Sequence, residues 1–392
     1  MQQPILHIGP TPFFSNRGCH IRILNEIRGL TASGSRVILC TYGLGGDVGG
    51  IDIRRIWKIP GYTKTEVGFS IFKPFADVLL FFLALKIAWQ ERVGIIHGHL
   101  HEGGLIGWCV KVVLFWRRIA LVIDIQGSLS GELRSYGTFA KLPFMLSFFY
   151  FVERLICMMP DTIVCSSAAS REFLISSCRV DPRRIELVGD VVQDVFFEPG
   201  DTRKRRRRLG LPADKHIVMY SGSLLAGKGA DLLLDALKEL CSVNGGCHFV
   251  LIGYPKAWVE KAVVEAGLKN RVTLPGEIAY ETLADWLGCA DIAVDPKPVG
   301  SGEASGKILH YMAAGLAIVC FDTENNRRFL KSEAFYASES SAAGLAETIS
   351  LALTDENTRR KYGTTCRTRA RDRFSIGSVG AQLHRIYQQF ET

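Results

Sequence analysis

His216-Ile-Val-Met-Tyr-Ser221 runs into Gly222-Ser-Leu-Leu-Ala-Gly227-Lys228-Gly229 and then into the helical pattern Ala230–Cys241. A short apolar run, a glycine-rich turn and an amphipathic helix in direct succession form a strand–turn–helix unit, the building block of a parallel sheet. The unit repeats downstream: His248–Ile252 reads as a strand before a helix at Trp258–Ala266, Arg271–Leu274 before Tyr280–Gly288, and Asp291–Val294 before Gly306–Ala314. Ala317–Phe321 closes that series. Upstream, Pro4–Gly9 is a strand, Ile21, Leu24, Ile27 and Leu30 mark a helix ended by Gly34, and Arg36–Thr41 is the next strand. Ile95–His97, Ala120–Asp124 and Thr162–Cys165 continue the pattern. Two consecutive series predict an α/β protein of two doubly wound, Rossmann-like domains with a cleft between them. The join is expected near residue 195, where Phe196–Gly200, the basic run Arg203–Arg208 and Leu209–Pro212 break the alternation. The basic run itself reads as a solvated helix face.

Composition supports this architecture and removes others. A chain of 392 residues suits two or three domains, and 47% hydrophobic with 22% charged residues excludes disorder, collagen and coiled coil. The net charge of +8 is compatible with phosphate-bearing ligands or anionic lipid. Nucleic acid is not expected as a partner, since neither zinc-finger spacing nor an RNA-binding aromatic signature accompanies the charge. Eleven cysteines without a CxxC pair, and no signal peptide, predict reduced thiols in a cytoplasmic protein. No spanning helix is expected, because Val78–Leu85 ends at Lys86 and Leu142–Val152 at Glu153 and Arg154.

Four stretches carry chemistry. In the Gly222–Gly229 turn, backbone N–H groups can approach a phosphate and Lys228 adds a full charge, although an ordinary turn with a solvated lysine explains the fragment as well. Ser301-Gly-Glu303-Ala304-Ser305-Gly306-Lys307 leads a lone carboxylate into a helix N-terminus, and His310 follows Lys307 by one turn. An anion at the helix N-terminus and hydroxyls at Glu303 suit a phosphate joined to a sugar. In His97-Gly-His99-Leu-His101-Glu102, alternate histidines would share one face of an extended chain. No fourth ligand stands at an obvious spacing, so acceptor or sugar contact outranks metal, and His97 reads as structural. Asp124 and Gln126 end another strand and are expected to face the same cleft. Finally, Phe69, Phe72, Phe75, Leu79, Phe82, Phe139, Phe144, Phe148, Phe149 and Phe151, interleaved with Lys64, Lys73, Lys86, Arg134 and Lys141, resemble an interfacial membrane surface as much as core helices.

Gly222, Lys228 and Gly229, with Met312, Ala313, Gly315 and Val319, resemble the nucleotide-sugar half of the family 4 retaining glycosyltransferases, which have the GT-B fold. Gly18, Ile96–His99 and the Ile-Glu-Leu-Val hinge near residue 188 resemble its other half. The resemblance implies catalytic roles for Lys228 and Glu303. It implies donor contacts at Gly18, Gly222, Ser223, Ile278, Ala304, Ser305, Gly306, Lys307 and His310, and acceptor-side candidates at His99, His101, Glu102, Asp124 and Gln126. It further implies acceptor-side residues 1–195 completed by a returning helix 375–392, a donor domain 196–374, and a nucleotide diphosphate sugar as co-substrate. No Asp-x-Asp pair is present, so no metal cofactor is expected. A lipid-linked acceptor at the inner membrane face is the expected partner. Four departures stand out. Ser223 replaces the family's phosphate-pairing arginine, His310 replaces its second glutamate, Glu303 lies seven rather than eight positions before His310, and Gln126 stands where many members carry a histidine near the transferred sugar. A non-catalytic GT-B scaffold is the rival reading. A dinucleotide oxidoreductase fails for want of a G-x-G-x-x-G fingerprint.

Overall fold

The computed structural model describes residues 3–14, 18–63, 71–130, 143–198, 200–225, 228–243, 246–298 and 306–390. The chain divides into two compact units, Met1–Val191 with Ile376–Thr392, and Val192–Ser375.

The first unit is built on seven strands: β1 (Ile5–Gly9), β2 (Val37–Thr41), β3 (Asp52–Arg55), β4 (Ile95–His99), β5 (Ala120–Ile125), β6 (Thr162–Cys165) and β7 (Ile185–Leu187). They pair in parallel in the order β3-β2-β1-β4-β5-β6-β7, so the chain reverses its direction of travel between β1 and β4. β1, β2, β4, β5 and β6 are buried along their whole length, as strands covered on both faces must be. One face carries Leu6, Ile38, Ile96, Leu121 and Ile163 under helices Lys73–Gln90 and Leu100–Val113. The opposite face carries Ile5, Val37, Leu39 and Val122 under helices Gly18–Ala32 and Ile376–Gln388. The last two helices cross where Gly29 meets Gly380: a Cβ on Gly29 would lie 2.9 Å from the Gly380 Cα. The C-terminal helix thus belongs to the first unit because both helices lack a side chain at the crossing.

The second unit repeats the plan with β8 (His216–Ser221), β9 (Cys247–Ile252), β10 (Val272–Gly276), β11 (Ile292–Asp295), β12 (Ala317–Phe321) and β13 (Phe335–Ala337), in the order β10-β9-β8-β11-β12-β13. Its reversal lies between β8 and β11. The basic run is exposed at Arg203, Lys204, Arg207 and Arg208, as a solvated face would be, but not at Arg206. In helix Thr202–Arg208, Arg206 is buried and donates to the carbonyls of Cys289 and Lys215 and to Asp291, while Arg205 and Arg208 hold Asp285. These arginines fasten the entry segment to the second sheet. No helix among the described residues is long and apolar enough to cross a membrane.

Candidate active site

In open parallel sheets, ligands are held beyond the carboxyl ends of the strands where the strand order reverses. In the second unit that point joins the end of β8 to the end of β11. Gly222 leaves β8 with φ +143°, and a Cβ there would stand 3.2 Å from Lys307 Nζ. Lys307 opens helix Gly306–Ala313 and is held from two sides. Its Nζ is 3.3 Å from Asp295 Oδ1 at the end of β11 and 4.2 Å from the Tyr220 ring centroid. Burial works against this charge, but Asp295 and the tyrosines outweigh it and hold the ammonium well above the ordinary lysine range. Tyr311, on the same helix, meets the end of β8: its hydroxyl accepts from the Ser221 N–H at 2.9 Å. Burial pushes that hydroxyl up to about 12, so it stays neutral. A fixed cation, a glycine that leaves space and a helix N-terminus therefore converge on one point, an arrangement that suits a diphosphate.

Lys228 and Gly229 lie in the same turn, half-buried and buried respectively. Gly229 has φ +84°, and a Cβ would fall 1.8 Å from the Pro296 carbonyl oxygen just beyond β11. Gly229→Ala is accordingly expected to displace the turn from β11 and weaken nucleotide binding by tenfold or more; isothermal titration of the folded variant checks it. Ser223 is half-buried and its carbonyl accepts from the Tyr220 hydroxyl at 2.6 Å. His310 takes partners apart from those of Lys307. Its Nδ1–H donates to the Gly306 carbonyl at 3.2 Å, its Nε2 accepts from the Tyr280 hydroxyl at 2.8 Å, and Phe196 meets it edge-on at 4.6 Å. Ile278 is half-buried two residues before Tyr280. Gly227, Glu303, Ala304 and Ser305 lie outside the described residues.

In the first unit the reversal between β1 and β4 gathers a buried polar cluster. His7, His97 and Val122 are register partners across β1, β4 and β5, and His99 sits opposite Asp124. The His97 and His99 rings stack at 4.6 Å, as alternate positions on a strand require. His101 does not share that face. The helix has begun at Leu100, and His101 Nε2 lies 3.3 Å from Glu153. Burial would raise Glu153, but His101 and Ser130 outweigh it and pull it down to about 2. Glu102, also on the helix, is held by Lys73.

The hub of the cluster is Arg22, which sequence reading passed over. Its Nε and Nη2 grip Asp124 at 2.8–3.1 Å, Nη1 reaches Asp190 at 3.0 Å, and Nη2 donates to the Val188 carbonyl. Nη2 also stands 3.0 Å from Glu26 Oε1. Burial opposes each of these charges. The three carboxylates nonetheless hold Arg22 above its ordinary range, and Arg22 with His99 holds Asp124 well below the usual carboxylate range. Glu26 goes the other way, since burial outweighs Arg22 and raises it. Burial also lowers His7, His97 and His99 from the ordinary histidine range. His99 Nε2 meets His7 Nδ1 at 2.9 Å, and His97 Nδ1 meets the Tyr387 hydroxyl at 2.5 Å.

Burial and mutual distance sort the residues of these strand ends. Partners for His97 and His99 do exist, because donor atoms of Glu26, His97, His99 and Asp124 all lie within 4.8 Å of one another. They come from separate elements, so no sequence spacing announces them. The guanidinium of Arg22 bridges the two carboxylates. His99 and Asp124 are also fully buried, whereas Gln126 is half-buried and donates to Asp124 Oδ2 at 2.9 Å. Of that strand end, Gln126 is the least buried member. The signal for the hub was the i, i+4 pair Arg22 and Glu26 among Ile23, Leu24 and Ile27, where charge on a buried face calls for a partner.

The comparisons with known proteins fall on both units. The glycosyl transferase 4-like domain family matches residues 17–190, and the glycosyl transferases group 1 family matches residues 201–369. Alpha-D-kanosaminyltransferase of Streptomyces kanamyceticus is 21% identical over 349 residues, 86% of this chain and 89% of the relative. A D-inositol 3-phosphate glycosyltransferase of Acidothermus cellulolyticus is 29% identical over 169 residues, 42% of this chain and 34% of that relative. Sucrose-phosphate synthase from Thermosynechococcus elongatus superposes with a TM-score of 0.78 at 18% identity, covering 100% of this chain and 99% of that one. Anabaena HepE in complex with UDP-glucose gives 0.75 at 16% identity over 99% of this chain and 100% of its own. With both units matched in order, the chain belongs to the group 1 glycosyltransferases and has the GT-B fold.

Proposed function

We propose that the protein moves a sugar from a nucleotide diphosphate sugar to a hydroxyl acceptor with retention at the anomeric carbon. The acceptor is a lipid-linked or envelope polysaccharide precursor at the inner membrane face. The observation that carries the donor half is Lys307, fixed by Asp295 and Tyr220 beside Gly222 at the strand-order reversal of the second unit. As the bond from the anomeric carbon to the diphosphate oxygen breaks, charge gathers on the leaving group. Lys307, Lys228 and the N–H groups opening helix Gly306–Ala313 meet it without rearrangement. The acceptor oxygen attacks from the face the diphosphate leaves, and its proton passes to a phosphate oxygen, which requires no protein nucleophile. Glu303 holds sugar hydroxyls. Because lysines supply the positive charge, transfer is expected to survive chelation of divalent ions.

Thermal shift with UDP, GDP, ADP and CDP sugars tests the donor, since a ligand of the folded state raises stability by mass action. The HepE complex makes UDP-glucose the first member of that panel. Product anomers resolved by proton NMR decide retention against inversion. His310→Glu is expected to keep the fold and to shift nucleotide affinity or base preference, because a carboxylate grips a diol where an imidazole offers one bond. Equal affinities for histidine, glutamate and alanine at this position would remove it from the ribose site. The departures at Ser223 and His310 are what favour a non-catalytic scaffold, and a folded protein that binds nucleotide sugars but neither transfers nor hydrolyses them would establish it.

A further inference from the structure

Three neighbouring helices on one side of the first sheet leave a broad apolar face uncovered. Along Lys73–Gln90, Phe75, Val78, Phe82 and Trp89 fall three, four and seven residues apart and are all exposed, while Ala76, Leu80, Ala84 and Ala88 are buried on the other side. The turn after Leu100–Val113 adds Phe115 and Trp116, 74% and 55% exposed, and Trp116 meets Trp89 at 6.2 Å. Pro143–Met158 adds Phe148 and Phe151. Elsewhere the pattern differs. Helices Gly18–Ala32 and Ile376–Gln388, on the other side of the same sheet, expose no large apolar side chain among the described residues. In the second unit such exposures are single and scattered, as on any soluble surface.

Charge says what covers this face. The three helices carry three carboxylates, and each is held by a partner: Asp77 by Tyr42, Glu102 by Lys73, and Glu153 by Ser130. Two cations lie outward: Lys86 and Arg118 are exposed. Lys111 is held by Asp161, and the half-buried Arg117 sits 4.5 Å over the Trp89 ring with its Nη1 donating to the Ala88 and Trp89 carbonyls. Tryptophan and phenylalanine ringed by lysine and arginine suit the headgroup boundary of an anionic bilayer. A second copy of this chain would bring like-charged rims together. Lys73, expected from sequence to meet headgroups, is engaged with Glu102, and Lys64, Arg134 and Lys141 lie outside the described residues.

We propose that this face seats the protein on an anionic lipid surface, with Phe82, Trp89, Phe115 and Trp116 entering the headgroup boundary and Lys86 and Arg118 meeting lipid phosphates. The inference rests on the lipid-linked acceptor proposed above and assigns the contact to named side chains. The test is flotation of the full chain with vesicles of phosphatidylcholine alone or with added phosphatidylglycerol, at low and high salt. Binding is expected only with the anionic lipid, weakening in salt. It should fall tenfold or more in Lys86→Glu/Arg118→Glu, and likewise in Phe82→Ser/Trp116→Ser. Thermal shift by nucleotide sugars should be unchanged in both variants, so that loss of docking is told apart from loss of the donor site. If the apolar variant misfolds, the charge variant decides alone. Equal binding to neutral vesicles, no binding to either, or binding indifferent to the charge variant overturns the proposal. So does light scattering that shows a dimer dispersed by these substitutions, which would make a second copy the occupant.

Discussion

Replacing Lys307 is expected to slow sugar transfer by about 10²–10³-fold, the usual cost of removing one preorganised group aimed at developing charge. The single variant Lys307→Met has a second consequence. Asp295 is buried, and neither of its carboxylate oxygens completes a hydrogen bond, so the neighbouring ammonium is what balances it. Stripping one partner from a buried pair costs about 3–5 kcal/mol, whereas removing both is often nearly neutral. Lys307→Met should therefore lose both stability and turnover, while Lys307→Met/Asp295→Asn should recover the melting temperature and stay slow. Lys228→Ala supplies the control in the neighbouring turn: turnover lower by about 2–4 kcal/mol of transition-state stabilisation with the fold intact. Single-turnover rates beside thermal melts of the four proteins separate the effects. A double variant that regains both properties would show Lys307 to be structural, and an unchanged rate in folded Lys228→Ala would remove that lysine from the phosphate site.

Arg22→Met is expected to be the most damaging single change in the first unit, at about 3–5 kcal/mol. It leaves Asp124 and Glu26 buried around the space of a lost cation, with Asp190 beside them. The pH dependence carries the diagnosis. In the native protein Asp124 is depressed, so its contribution is present above the unfolded aspartate value of about 3.9 and is lost as pH falls toward the folded value. Without Arg22 the same burial raises Asp124, and Glu26 is already raised. The sign then reverses: the variant's deficit should be largest at pH 8 and shrink toward pH 5 as the buried carboxylates take up protons. Urea melts of both proteins at the two pH values read this directly. A deficit independent of pH would mean that Arg22 acts through packing alone.

Much of this protein was legible along the chain, and the reason is local. A buried parallel strand needs an unbroken apolar run, its turn needs glycine, and its helix needs a 3.6-residue repeat. His216–Ser221, Gly222–Gly229 and Ala230–Val243 satisfy those conditions in sequence, and β8 and its helix form there. Lys228 and Lys307 could be picked out because each stands in a glycine-rich segment at a helix start. Arg206 was misread, because its partners Cys289, Lys215 and Asp291 are brought to it only by the fold.

The sequence by itself determined the two series of βα units, their order and the segments that bear charge to the strand ends, since each depends on neighbours within a few residues. Tertiary structure decided which charges pair. Asp295 meets Lys307 because β11 lies beside β8, and Arg22 meets Asp124 across 102 positions because the Gly18–Ala32 helix covers the β1–β4 reversal. It also decided which phenylalanines are core. Lys73–Gln90 is apolar nearly all round, so its pattern alone leaves the choice open. Only the sheet, by taking Ala76, Leu80 and Ala84 against itself, turns Phe75, Phe82 and Trp89 outward. Apolar surface is a property of the chain, but what it is buried against is a property of the packed fold.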